Sequence, residues 1–355
     1  MTYCAAWKSG ECAFLISDTL ITADRPPTDN TSSFNERYRQ LGRDHVEERL
    51  LKIGEIRPGV ACAIAGDVAL AHSLVEFITE HFDQFGSPRE VLDALLVNLG
   101  PFDPLRATEL LLVVSKPDEE SEVLAWNTCS PQAAEVSEMH EIGSLAASHR
   151  QLTKDGVEYI RRRGLSDPQQ ELITIIAGVQ SYGQHSDLIG QHVGGAICGL
   201  WVRNGETHWQ QDTTTVFLKV DRTFGGVVST HFREGGLIVN STHIEDGLAL
   251  LGWSSKGGGI ERAKQWAQRW AQPLSTYATT DVRGCRNWIF LRVDAPVVSV
   301  VCASRRIANP RDPFKIEPTA QLLQIDFDPA FFHHIHRPFA HSSIPALDIS
   351  LTTLP

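Results

Sequence analysis

Strand-like and helix-like segments arrive in blocks along this sequence, and that order most limits what it can fold into. YCAAWKS (3–9) and CAFLIS (12–17) are short strand-like runs with Gly10-Glu11 at the turn. LLKIGEI and VACAIAG follow as strands, broken by Pro58-Gly59. Asp67 then stands as N-cap before VALAHSLVEFITEHFDQF, whose apolar positions recur at three and four. Ser87-Pro88-Arg89-Glu90 predicts a second helix through a capping box with proline at the first helical position. TELLLVVS and EVLAWNT predict a hairpin, and Ser166-Asp167-Pro168-Gln169 opens a further helix to about Ser181. GGAICGLWVRNGETHWQQ predicts another hairpin, with Asn204-Gly205 as a type I′ turn, and TVFLKV closes the region near Asp221. Blocks of this kind predict α+β layers rather than alternating βαβ units.

At 355 residues the chain exceeds what one ordinary core needs, so two domains are expected. The sequence changes character near residue 222, which sets the boundaries 1–222 and 223–355. In the second part FGGVVSTHF, GLIVNSTHI, NWIFLRV and VVSVVCAS predict strands, while IEDGLALLGWS and GIERAKQWAQRWAQ read as helical. The polar stretch DRPPTDNTSSFNERYRQLGRDHVEER reads as a long loop or insertion.

With 32 basic against 43 acidic side chains, a formal charge of -11, the chain has no global pull toward nucleic acid or anionic membrane. Arg161-Arg162-Arg163 is its one dense basic run and reads as a solvated helix end. The seven cysteines include no C-x-x-C pair, and several sit in apolar runs. They read as small buried hydrophobes in a reducing compartment, and with no signal-like start or membrane-length apolar run the expected location is the cytoplasm.

The chain begins Met1-Thr2, and initiator methionine is commonly removed before a small residue. A threonine at a chain start can attack with its hydroxyl while its own α-amine, titrating near pH ~8, takes the proton. Such a nucleophile needs a charged neighbourhood and backbone N–H groups to receive the oxyanion.

The sequence downstream resembles the β-subunits of the proteasome family over about residues 2–220. TYCAAWKSGECAFLISDTLITAD is similar to their opening double strand, with Asp18 sixteen residues after Thr2. KIGEIRPGVACAIAG is similar to their lysine strand, turn and glycine, with Lys52 and Gly66 fourteen residues apart. IGS at 142–144 resembles the site of a supporting serine, and VGGAICGLWV their late glycine-rich strand. The opening Met-Thr-Tyr-Cys is most like the bacterial group called Anbu. The resemblance implies a four-layer α-β-β-α sandwich for 1–222, followed by an additional C-terminal α+β region. It implies peptide-bond hydrolysis by Thr2, with Lys52 and Asp18 setting the charge, the Gly66 N–H as oxyanion donor and Ser144 in support. It places Thr22 and Leu20 at the substrate, requires no cofactor, and implies a homo-oligomeric ring or helical stack acting on peptide or unfolded protein, with any unfoldase or adaptor unidentified.

The match departs from the family at Leu20, where arginine is frequent, and at Gly190 and Val193, where a supporting Asp and Ser are expected; Asp187 stands three residues off. Two rival functions remain: a small-amide hydrolase on the same fold, and a catalytically inactive assembly subunit. Other motifs carry less. Cys4 lies inside a predicted strand and cannot use its own amine. His333, His334, His336 and His341 have no carboxylate or cysteine at ligand spacing, so no metal is expected. Gly257-Gly258-Gly259 lacks the Gly-Lys-Ser/Thr ending of a phosphate loop, and Trp266 with Trp270 reads as core or interface.

Overall fold

The computed structural model describes residues 2–22, 46–144, 147–185, 193–218, 224–233, 235–242, 247–253, 287–293, 297–303, 314–318, 323–327, 329 and 348–354. β1 (Tyr3–Ser9) and β2 (Cys12–Ser17) form the expected hairpin, Ser9 opposite Cys12, with Gly10 at φ +57° in the turn. A short ladder pairs β3 (Leu20–Thr22) with β4 (Val46–Glu48). β5 (Ile53–Arg57) and β6 (Val60–Gly66) turn at Gly59, φ +75°.

Two capped helices follow. α1 (Val68–His81) begins where the Asp67 carboxylate accepts from Leu70 N, and α2 (Pro88–Leu99) where the Ser87 hydroxyl accepts from Glu90 N. β7 (Thr108–Val114) and β8 (Glu122–Asn127) form the predicted hairpin, extended by β9 (Ala134–Glu135). β10 (His140–Gly143) leads to α3 (Ala147–Arg163), of which the sequence points only to the solvated end at Arg161–Arg163. In its sequence only Leu152, Val157 and Ile160 are large aliphatic residues, too few to set a period; Val157 and Ile160 are buried. Arg161 and Arg162 are exposed at its end, each paired with Glu158. α4 (Pro168–His185) starts at Asp167, whose carboxylate accepts from Gln169 N. β11 (Cys198–Arg203) and β12 (Glu206–Trp209) join through Asn204 and Gly205, both at positive φ, as a type I′ turn requires.

Then come β13 (Thr213–Leu218), β14 (Phe224–Arg233), β15 (Gly236–Ser241), β16 (Leu248–Leu251), β17 (Asn287–Arg292), β18 (Val297–Ala303), β19 (Phe314–Pro318), β20 (Leu323–Phe327) and β21 (Asp348–Leu354). β16 corrects a helical expectation for IEDGLALLGWS. LALL pairs antiparallel with β15, and a short apolar run does not by itself distinguish helix from strand. The expected helix at GIERAKQWAQRWAQ lies outside the described residues, as do Trp266, Trp270, the triple glycine and the four C-terminal histidines.

The arrangement is α+β with several sheets. One five-stranded sheet has the order β10-β1-β2-β11-β12, a second β5-β6-β7-β8-β9, and a seven-stranded sheet runs β16-β15-β14-β13-β17-β18-β21. Side-chain alternation on β1 sorts the core. Tyr3, Ala5 and Trp7 face Val157 and Ile160 of α3 and Leu172, Ile173 and Ile176 of α4. Cys4 and Ala6 face Ile53, Ala61, Ala63, Leu111 and Val113 of the second sheet. The far side of that sheet, through Cys62, Ile64, Leu110 and Leu112, packs on Leu74, Ile78, Val91 and Leu95 of α1 and α2. Each fully buried Leu, Ile, Val or Phe contributes about 1.5–3 kcal/mol. The buried Trp7 indole N–H is satisfied by Glu171 at 2.9 Å.

Residue 222 falls between β13 and β14, which pair antiparallel; β13 also pairs in parallel with β17. The seven-stranded sheet therefore draws on both sides of the expected boundary. Its Ile289, Val298 and Val300 share a buried cluster with α4, and its Phe217, Val228, Leu237 and Leu291 share one with β1, β2 and β5.

Candidate active site

The β1–β2 register sets Cys4 against Ser17, so the next pair outward is Tyr3 and Asp18. These two bond reciprocally: Asp18 N donates to the Tyr3 carbonyl, and Tyr3 N donates to Asp18 Oδ1, both at 3.0 Å. Lys52 stands just before β5, its carbonyl accepting from Ile64 N at 3.1 Å. Its Nζ donates to Asp18 Oδ1 and to the Leu20 carbonyl, each at 2.5 Å. Lys52 and Asp18 are 1% and 0% exposed, so this is a fully buried ion pair.

Asp18 carries a third donor on its other oxygen, Gly194 N at 3.1 Å. Burial pushes the Asp18 carboxyl above its ordinary 3.8, and the charge and hydrogen bond of Lys52, with the Tyr3 and Gly194 amides, pull it back only part of the way. Three donors converging on two oxygens suit a carboxylate, not a neutral acid. Lys52, in turn, cannot swing away without leaving a buried charge unpaired.

Thr2 is buried at the head of β1. Its carbonyl accepts from Ser144 N at 2.8 Å, and the next amide, Tyr3 N, is the one on Asp18. The Thr2–Tyr3 peptide is thus held on both edges. Gly143 makes this fit possible. Its φ is +99°, and a Cβ there would stand 1.9 Å from the Thr2 carbonyl oxygen. Because Lys52 Nζ and Tyr3 N share one acceptor oxygen, the ammonium is no farther from the Thr2 peptide than those two bonds laid end to end.

The structure therefore brings together Thr2, Asp18, Lys52, the Leu20 carbonyl and the Ser144 amide. The Leu20 side chain is fully buried, while Thr22 is exposed on β3. Gly66 ends β6 opposite Thr108 at φ +108°, where a Cβ would meet the Ala107 carbonyl at 2.1 Å. On the same strand, Ile64 has its carbonyl 3.4 Å from the Cys4 thiol and its amide on the Lys52 carbonyl, whereas among the described residues no hydrogen bond places Gly66 itself against Thr2, Asp18 or Lys52. Asp67, next to Gly66, is held down to about 2 by hydrogen bonds from Arg106 and the start of α1, so its charge is already matched. Burial pushes the Cys4 thiol well up, leaving it a poor source of thiolate. Val193 packs in the apolar core, and Asp187 and Gly190 lie outside the described residues.

Two contributors escaped the sequence reading. In sequence Gly194 is only part of a glycine-rich strand, and Glu48 part of a polar insertion, yet Glu48 is buried beside Thr19 and Ala196. Its one signal is that it stands near the end of that insertion, four residues before Lys52. Among the described residues no group of three His, Cys, Asp or Glu is placed to hold a metal ion.

No protein-family model and no curated protein matches the chain. Among solved structures it is similar to HslV from Trypanosoma brucei, at 15% identity and a TM-score of 0.41, over 57% of this chain and 99% of that one.

Proposed function

We propose that the chain is an N-terminal threonine peptidase on a proteasome-like, four-layer α-β-β-α fold of the N-terminal-nucleophile type, nearest the Anbu group, with Thr2 freed by removal of Met1. One observation carries the reading: the buried Lys52–Asp18 pair is bonded, through Asp18 Oδ1, to the Tyr3 amide that fixes Thr2 in place.

In this mechanism the Thr2 hydroxyl attacks the peptide carbonyl while the Thr2 α-amine, directly or through water, accepts its proton. The Lys52 ammonium disfavours a second positive charge nearby, so it keeps more of the amine as free base. It also lowers the cost of the forming oxyanion, which the Gly66 N–H receives. The amine returns its proton to the leaving nitrogen, and an acyl-enzyme ester remains. Water then attacks the ester and frees the hydroxyl. Asp18 keeps Lys52 charged and aimed. The substrate class is peptide or unfolded protein, the assembly a homo-oligomer in the cytoplasm, and no cofactor takes part.

Two measurements test this. Intact mass should show loss of Met1. An epoxyketone, which needs both the hydroxyl and the amine of one threonine, should add once per chain, and Thr2→Ala should abolish the adduct while the protein melts cooperatively. Retained Met1, or an adduct surviving Thr2→Ala, overturns the proposal.

A further inference from the structure

The geometry points to Glu48 as a positioning residue for the Asp18–Lys52 pair, acting through the turn at Gly194–Ala196; it rests on the reading of Thr2 as nucleophile. Glu48 is 1% exposed. One of its oxygens accepts from the Ala196 amide at 2.8 Å and lies 2.7 Å from the Thr19 hydroxyl, which is also 3.2 Å from the Ala196 carbonyl. Thr19 adjoins Asp18, and its amide donates to the Gly194 carbonyl at 3.3 Å. The amide of the same Gly194 then reaches Asp18 Oδ2. Glu48 thus fastens the segment that delivers the third hydrogen bond to Asp18. It also pairs with Leu20 across the β3–β4 ladder, and the Leu20 carbonyl is the second acceptor of Lys52.

The turn has no slack. Gly195 sits at φ +73°, and a Cβ there would stand 2.5 Å from the Thr19 hydroxyl and 3.0 Å from the Glu48 carboxyl carbon. A buried carboxylate that only filled space would be replaced without loss by an apolar side chain. Here a backbone amide and a hydroxyl, from segments far apart in the chain, converge on one of its oxygens. Removing it frees Gly194 to drift from Asp18, and Asp18 then holds its charge against burial with one donor fewer.

The test compares the parent with Glu48→Ala, Glu48→Gln and Thr19→Val. Glutamine keeps an oxygen acceptor in place; Thr19→Val removes only the hydroxyl link, should Glu48→Ala not fold. The first readout is hydrogen exchange of the Gly194 amide, which does not depend on activity. It should speed up in Glu48→Ala and Thr19→Val relative to core amides, and stay near parental in Glu48→Gln. The second is epoxyketone labelling of Thr2 against pH. Glu48→Ala should slow it roughly 10-fold or more, as misplaced catalytic groups do. Its acid limb should move to higher pH, because Asp18 has lost a donor that favours its ionised form. Glu48→Gln should restore the rate to within roughly threefold. Parental Gly194 exchange in both Glu48→Ala and Thr19→Val overturns the inference, as does slowed labelling with an unmoved acid limb. A parent that never labels at Thr2 instead overturns the functional reading, and the exchange result still decides Glu48.

Discussion

Two carboxylates bonded to cationic side chains, Asp18 fully buried and Asp212 half-buried, are built on opposite plans. Asp212, just before β13, meets Arg233 through a two-pronged contact, both bonds 2.8 Å, with His231 Nδ1 3.2 Å away. Burial pushes its carboxyl up, but the hydrogen bonds and charges of Arg233 and His231 outweigh this and hold it well below the usual carboxylate range. Arg233 is 35% exposed, so water shares that charge. Asp18 meets a lysine with no access to water, and burial wins. By linkage, ionisation of Asp212 favours the folded chain and ionisation of Asp18 works against it, so the two carboxylates differ in sign.

The largest expected effect follows from breaking the fully buried cluster. Lys52→Met keeps the length and removes the charge. It should lower turnover at least ~100-fold, the scale of losing one electrostatic stabiliser. It should also destabilise the chain by about 3–5 kcal/mol, because Asp18 is left buried and unpaired. Adding Asp18→Asn should return most of that stability in a thermal melt without returning activity. Lys52→Arg should stay poorly active, since a planar guanidinium does not replace an ammonium bonded at 2.5 Å to two acceptors. A Lys52→Met protein with parental peptidase activity sinks the catalytic assignment.

The next effect tests how closely the two regions are joined. A Cβ on Gly54 would stand 2.1 Å from the Trp253 carbonyl oxygen, and one on Gly252 would stand 2.5 Å from the Ile53 carbonyl. The end of β16 thus lies directly on the strand that follows Lys52. Gly54→Ala should destabilise by about 1–3 kcal/mol through overpacking. If the two regions form one cooperative unit, limited proteolysis of the parent should not cut near residue 222. A clean cut there, with Gly54→Ala melting like the parent, would show residues 223–355 to be separable.

What could be read in advance divides along the same line. Hairpins at Gly10, Gly59 and Asn204-Gly205 and caps at Asp67, Ser87 and Asp167 are local chemistry, written within a few residues. The pairing of β13 with β17 brings Thr213 beside Asn287 across a long connection, and no period in either strand announces it. The body of α3 carries too few apolar residues in its sequence to set a period, and LALL, four residues long, fits either period. At the candidate site, Asp18 and Lys52 stood out through spacing and resemblance. Glu48 did not, since its meaning comes from the Ala196 amide, far along the chain.

The smallest effect gives the sharpest contrast, because the two clusters should respond to pH with opposite signs. Asp212 has a depressed folded value against an ordinary 3.8. Its contribution is full above about pH 4–5 and is lost as pH falls from there through the folded value. The gap in stability between the parent and Asp212→Asn should be widest near neutral pH and narrow in acid. Arg233→Met, which removes a partly solvated partner, should cost about 1 kcal/mol. Asp18 has a raised folded value, so the folded chain binds a proton more readily than the unfolded one. Between 3.8 and that raised value its burden grows as pH rises, and above it the burden is constant. Asp18→Asn with Lys52→Met removes the burden, so its stability relative to the parent should improve as pH climbs through that window. Melting curves of the parent and both variants across pH 3–7 decide it. Parallel slopes for the two variants would mean that Asp18 is an ordinary structural partner like Asp212, and that Lys52 is held for the fold and not for Thr2.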